Sequence, residues 1–210
     1  MEPKHTAAMK PKHTAARRGL LESRIILVTG PKHSGKSLCA RALANAIGGE
    51  AVDLDEAIKK DTGKSPRELF LDGPEIFRKA EALALGRLFL GLEENNRAHP
   101  NPLIIAAGGG LIDNSEALAL VSRHKETIIV YLDVLPETAW QRILDTASVD
   151  GELPPFLGTD NPKKTHMALH KRRAEAYKAL AGITINAEGK SPNEIAKEIA
   201  EIPGIACETK

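Results

Sequence analysis

Aromatic side chains are nearly missing from this chain. Phe, Tyr and Trp make up 3% of its 210 residues, too little to build stacking platforms for nucleic-acid bases. Cysteine is as scarce. Cys39 and Cys207 lie far apart and show no metal-ligand spacing, so a reduced, cytoplasmic setting is expected. Neither sign of charge dominates: 29 Lys and Arg against 28 Asp and Glu leave a net charge of +1. Nothing global therefore argues for a nucleic-acid or membrane partner, and no apolar run reaches membrane-span length. What is present, 42% hydrophobic and 27% charged residues, suits one soluble α/β domain with a sizeable core.

The N-terminus stands apart. PKHTAA occurs at residues 3–8 and again at 11–16, followed by Arg17 and Arg18. The segment is basic and of low complexity and has no apolar h-region, so residues 1–19 are expected to form a disordered tail and not a secretory signal. Beyond it, five apolar stretches read as buried parallel strands: 24–29, 51–55, 102–107, 127–134 and 182–186. Helical patterns lie between them, among them the long amphipathic "GPEIFRKAEALALGRLFLGLEE". This alternation predicts a parallel sheet covered by helices on both faces. Residues 145–164, "DTASVDGELPPFLGTDNPKK", carry two Gly and three Pro without a period, as expected of a lid or binding loop.

The strongest local signal is "GPKHSGKS", Gly30 to Ser37, between the first strand and a helical stretch. Backbone N–H groups in such a loop form an anion nest at a helix N-terminus. Gly30 and Gly35 permit torsions that a Cβ would forbid. Lys36 can reach the outer phosphates of a nucleotide, and the Ser37 hydroxyl can ligate Mg²⁺. His33, at a variable loop position, is expected to act only through its backbone. The loop says nothing about the phosphoryl acceptor. In open parallel sheets, ligands lie beyond the carboxyl ends of the strands. There the second strand ends in "DLD" (Asp53, Asp55) and the third in "GGG" (Gly108 to Gly110), and the intervening helix carries Arg78. Taken alone, Asp55 also suits a helix N-cap, Arg78 a surface partner of Glu75 or Glu81, and Arg173 a solvated helix face.

The ordered set "GPKHSGKS", "DLD", "GPEIFRKAE", "GGG" and "RAEAY" (Arg173 to Tyr177) resembles the shikimate kinase family, over about residues 24 to 200. The resemblance implies a three-layer P-loop kinase fold with a five-stranded parallel sheet and a mobile lid, a kinase domain over 20–206 with its lid at about 145–165, and a monomer. It implies ATP and Mg²⁺ as the cofactors and a shikimate-like polyol acid as the substrate. Gly30, His33, Ser34, Gly35, Lys36, Ser37 and Leu38 would hold ATP, with Arg142 against its adenine. Ser37 and Asp53 would serve Mg²⁺. Lys36 and Asp55 would act in transfer, and Asp55, Arg78, Gly109 and Arg173 would bind the acceptor. Phosphorylation of another polyol acid such as gluconate, or nucleotide-dependent regulation with weak catalysis, are the rival readings.

Two departures stand out. Pro74 occupies a position where the family usually has Glu. The lid, which in the family carries an arginine that reaches the transferring phosphates, reads "GELPPFLGTDNP" here, and no arginine lies between Arg142 and Arg172. Lys163, Lys164 or Arg172 is the expected replacement, with the two lysines ahead.

Overall fold

The computed structural model describes residues 25–94 and 101–205. The basic tail and Cys207 lie outside them. Among the described residues, five strands form one parallel sheet in the order β2-β3-β1-β4-β5. The strands are β1 (Ile25–Thr29), β2 (Glu50–Asp53), β3 (Leu103–Ala106), β4 (Thr127–Asp133) and β5 (Ile183–Asn186). The register runs Ile25 opposite both Leu103 and Thr127, and Thr29 opposite Tyr131.

The central strands are mostly apolar because both faces of the sheet are covered, whereas the edge strands β2 and β5 carry polar residues such as Glu50, Asp53 and Asn186. Side chains alternate between faces along a strand, so Ile26 and Val28 of β1 enter one core and Ile25 and Leu27 the other. The first core is closed by α1 (Lys36–Ile47) and α8 (Pro192–Ala200), through Cys39, Leu43, Ile195 and Ile199. The second is closed by α2 (Leu54–Thr62), α3 (Pro66–Asp72), α4 (Pro74–Glu94) and α5 (Ser115–Arg123), through Leu54, Ile58, Leu69, Leu85, Phe89 and Val121. Helices α6 (Pro136–Asp150) and α7 (Pro162–Leu180) complete the layers. The result is the expected three-layer arrangement.

Helix ends follow local chemistry. Gly48 ends α1 in the left-handed conformation. Ser65 and Glu68 form a reciprocal capping box at α3, with Pro66 in its first turn. Two boundaries differ from expectation, and both matter for the site. β2 stops at Asp53, so Asp55 is not at a strand end but in the first turn of α2. The cap of that helix is Asp53, whose Oδ1 accepts from the Asp55 backbone N–H at 2.9 Å. Helix α6 runs on to Asp150, six residues into the stretch expected to be irregular, and stops at the left-handed Gly151. The irregular lid therefore spans only about residues 151–161, with one 3₁₀ turn at Pro155–Leu157.

Candidate active site

β1 is central, and the loop after it opens at the carboxyl edge of the sheet, beside the loop after β3. A Cβ on Gly30 would lie 2.8 Å from both the Leu132 carbonyl oxygen and Ser34 Oγ. That crowding, with φ at +147°, explains why glycine is needed where the loop leaves the sheet. His33 holds the left-handed conformation at φ 60°, and its carbonyl accepts from Arg142 Nη1 at 3.0 Å. Arg142 thus braces the outer flank of the loop. Gly35 caps α1, so the backbone ends at the start of a helix where phosphate is favoured.

A cavity of about 530 Å³ lies in front of this loop. Its walls bring together residues that are far apart in sequence. His33, Gly35, Lys36, Ser37 and Leu38 line one side, and Asp53, Asp55, Gly108, Gly109, Gly110 and Arg173 line another. Pro154, Pro155 and Phe156 of the lid cover it. Gly30 and Ser34 shape the loop from behind, and Ser34 is buried. Arg78 is exposed and is not part of the cavity wall; its backbone carbonyl accepts from Asn114 Nδ2 at 2.8 Å.

The charges are poised against one another. Burial pushes the Lys36 ammonium down to about 8, with the nearby Asp55 working in the opposite direction. Its Nζ donates to the Pro31 carbonyl at 2.7 Å. Burial, reinforced by Asp53, raises the Asp55 carboxyl above its ordinary value. A carboxylate shifted this way accepts a proton more readily than a solvated one. Arg172 and Arg173 both bind Asp113, at 2.7 Å for Arg172 Nη1 and 2.8 Å for Arg173 Nη2. Burial works against the Asp113 charge, but these two arginines hold its carboxyl below its usual range. The Arg173 guanidinium also lies 5.7 Å from the Phe156 ring centre, linking α7 to the lid.

Three functional candidates escaped the sequence reading. Glu81 is fully buried. One carboxylate oxygen accepts from Asn114 Nδ2 at 2.9 Å, while the other has no hydrogen-bond partner and would lie 2.8 Å from a Cβ at Gly108. Burial lifts this carboxyl to about 7 despite the Asn114 hydrogen bond. Its signal was present as the last residue of "GPEIFRKAE", one helical turn after Arg78. Arg67 on α3 lines the cavity, donates to the Leu153 carbonyl at 2.9 Å and pairs with Glu152, so it ties α3 to the lid. Lys32, in the phosphate loop itself, also lines the cavity. The expected substitutes for the lid arginine are not there. Lys163 and Lys164 are exposed on the first turn of α7 and outside the cavity wall, and Arg172 is engaged by Asp113.

Comparison with known proteins shows the family. A family model described as shikimate kinase matches residues 32–202. The chain belongs to the shikimate kinase family. It is 33% identical over 182 residues to a shikimate kinase of Thermobifida fusca (strain YX), covering 85% of this chain and 95% of the relative. The shikimate kinase of Acinetobacter baumannii, solved in complex with shikimate, superposes with a TM-score of 0.71 at 26% identity, over 88% of this chain and 95% of that one. A gluconokinase from Sinorhizobium meliloti 1021 shares the fold at a TM-score of 0.51 and 18% identity, over 86% of this chain and 90% of that one. The chain is thus a kinase of the P-loop class, with the three-layer fold its sequence predicted.

Proposed function

We propose that this chain transfers the γ-phosphoryl group of ATP to a hydroxyl of shikimate, giving shikimate 3-phosphate and ADP, the reaction of aromatic amino-acid biosynthesis. The observation that carries the reading is a single cavity with a phosphate loop on one wall and a carboxylate, a glycine turn and an arginine on the other. A phosphate loop supports nucleotide binding. A carboxylate and a guanidinium facing it suit an acceptor that has both hydroxyls and a carboxylate. The Acinetobacter baumannii relative binds shikimate, which favours this acid over gluconate, because the gluconokinase likeness extends to fold alone.

In the proposed reaction, the loop N–H groups and Lys36 hold the ATP phosphates, and Arg142 stands toward the adenine side. Asp55 orients the acceptor hydroxyl and accepts its proton. The hydroxyl oxygen bonds to the γ-phosphorus as the bond to ADP breaks, and the electron pair leaves on the β-phosphate oxygen. Arg173 and the Gly109 backbone hold the acceptor. Arg78, exposed and outside the cavity wall, is the further candidate for the acceptor's carboxylate. Ser37 and Asp53, two oxygen donors on the cavity wall, fit Mg²⁺, an ion that keeps several waters and binds through one or two protein groups plus phosphates. Bound there, Mg²⁺ neutralises charge on the phosphate oxygens. A reduced, cytoplasmic setting suits the buried, inert Cys39 thiol, which burial pushes up to about 12.

ADP release measured with shikimate, gluconate, AMP or no acceptor tests the reading. Shikimate-dependent turnover is expected. Turnover with gluconate instead gives the rival kinase. Nucleotide binding without acceptor-dependent turnover gives a regulator, a reading favoured by the missing lid arginine.

A further inference from the structure

The lid lacks a basic residue from Gly151 through Pro162; Lys163 and Lys164, which follow it, lie outside the cavity wall, and Arg172 is engaged by Asp113. Charge that develops on a transferring phosphoryl group still needs a partner in a site of this kind. The cavity wall carries four Lys and Arg side chains: Lys32, Lys36, Arg67 and Arg173. Three are engaged. Lys36 donates to the Pro31 carbonyl, Arg67 is held by Glu152 and the Leu153 carbonyl, and Arg173 is held by Asp113. Lys32 makes no hydrogen bond or ion pair among the described residues, and its side chain is exposed at the cavity.

Its backbone is not free to drift. A Cβ on Gly109 would lie 2.9 Å from the Lys32 nitrogen, so the acceptor-side glycine turn rests directly on the loop at this residue. Lys32 therefore stands at the seam between the phosphate loop and the acceptor wall. It also lines a small neighbouring pocket beneath Phe156, with Arg173 and Tyr177, which places it under the lid. Its positive charge is felt on both sides of the seam. After burial and Asp55, it is the next influence on Lys36, and after burial, Asp53 and Lys36 it helps to hold the Asp55 carboxyl down.

We infer that Lys32 is a further catalytic residue, the cation that meets the phosphoryl group as it passes from ATP to the acceptor, in the role the lid leaves unfilled. The inference rests on the kinase reading above. The transfer is the one already written: the acceptor oxygen–phosphorus bond forms, the bond to ADP breaks with its electron pair leaving on the β-phosphate, and the proton goes to Asp55. Lys32 makes and breaks no covalent bond. It contributes charge at the equatorial phosphate oxygens, where the interaction strengthens in the transition state and so acts on kcat.

The test is steady-state kinetics on Lys32→Ala, Lys32→Arg and the Lys163→Ala/Lys164→Ala pair, with binding of ATP to each followed by calorimetry. Lys32→Ala is expected to lower kcat by roughly 10²-fold, with shikimate KM and ATP affinity within about threefold of wild type. Lys32→Arg should keep most of the activity, and the paired alanine variant all of it. A wild-type kcat in Lys32→Ala overturns the inference. So does a loss carried wholly by shikimate KM, which would make Lys32 an acceptor-binding residue, and so does a larger loss in the paired variant. Absence of shikimate phosphorylation by the wild-type protein would overturn the kinase reading itself and this inference with it.

Discussion

The phosphate loop and the lid face each other across one cavity, and they are built on opposite plans. The loop is specified residue by residue. Gly30 is crowded by the next strand, His33 and Gly35 hold positive φ, and Arg142 pins the His33 carbonyl from outside. The lid is short, proline-rich and without a basic residue, and other elements hold it: Arg67 of α3 through Glu152 and Leu153, and Arg173 of α7 against Phe156. The loop is preorganised where charge must be met, whereas the lid mainly closes the space over it. In the role inferred for Lys32, positive charge that a lid can carry sits instead on the rigid wall.

Breaking the loop should have the largest effect. Lys36→Met is expected to reduce turnover by more than roughly 10³-fold, since both phosphate binding and charge neutralisation are lost. Its melting temperature should stay near wild type, because a buried ammonium held below its ordinary pKa costs the fold more than it contributes. Unfolding of the variant would show that Lys36 is structural. Next is the wall opposite. Asp55→Asn keeps the shape and removes the base, so kcat should fall by about 10³-fold while ATP still binds. Calorimetric titration with ATP separates this from a damaged loop: lost ATP affinity would place Asp55 in nucleotide binding.

A subtler contrast concerns Glu81 behind the acceptor wall. Its folded-state value of about 7 lies above the ordinary 4.5. The folded protein thus holds a proton that the unfolded chain has released between those values. The group's contribution to stability is full below about pH 4.5 and is lost as pH rises through about 7, by about 3 kcal/mol at most. Glu81→Gln should flatten that dependence. Denaturant unfolding at about pH 5 and about pH 8 measures it, and an equally steep decline in the variant would contradict the assignment. The smallest effect is expected at the lid tie. Arg67→Ala removes an exposed ion pair, worth about 0–1 kcal/mol, and one hydrogen bond to a carbonyl. A several-fold rise in shikimate KM with the loop functions intact is expected. A large fall in kcat would move Arg67 into the transfer step and blur the contrast between the two walls.

The sheet was legible because each strand is a short apolar run between helical patterns, and the loop was legible because its chemistry is local. The boundaries that differed have physical reasons. Asp53 and Asp55 both suit a helix start, and only the hydrogen bond from Asp55 N to Asp53 decides between them. The last turns of α6 present no buried stripe, since Val149 is almost fully exposed. They are sustained by local bonds such as Thr146 Oγ1 to the Arg142 carbonyl, which hydrophobic periodicity does not reveal. Of the candidate site, the phosphate, Asp55, Gly109 and Arg173 positions could be named in advance and meet at one cavity. Arg78 and Arg142 were named and lie outside its wall. Lys32, Glu81 and Arg67 acquire meaning only through neighbours on other elements: Gly109 for Lys32, Asn114 for Glu81 and Glu152 for Arg67. No spacing within the chain signals those meetings.

The central claim is that phosphate held by the loop is passed across the cavity to a shikimate hydroxyl. Phosphorus NMR of the protein with ATP, Mg²⁺ and shikimate reads this without any coupling enzyme. The predicted result is loss of the γ-phosphate signal with matching growth of ADP and of a new phosphate monoester that requires shikimate. Growth of inorganic phosphate alone, or an unchanged ATP spectrum, would contradict it.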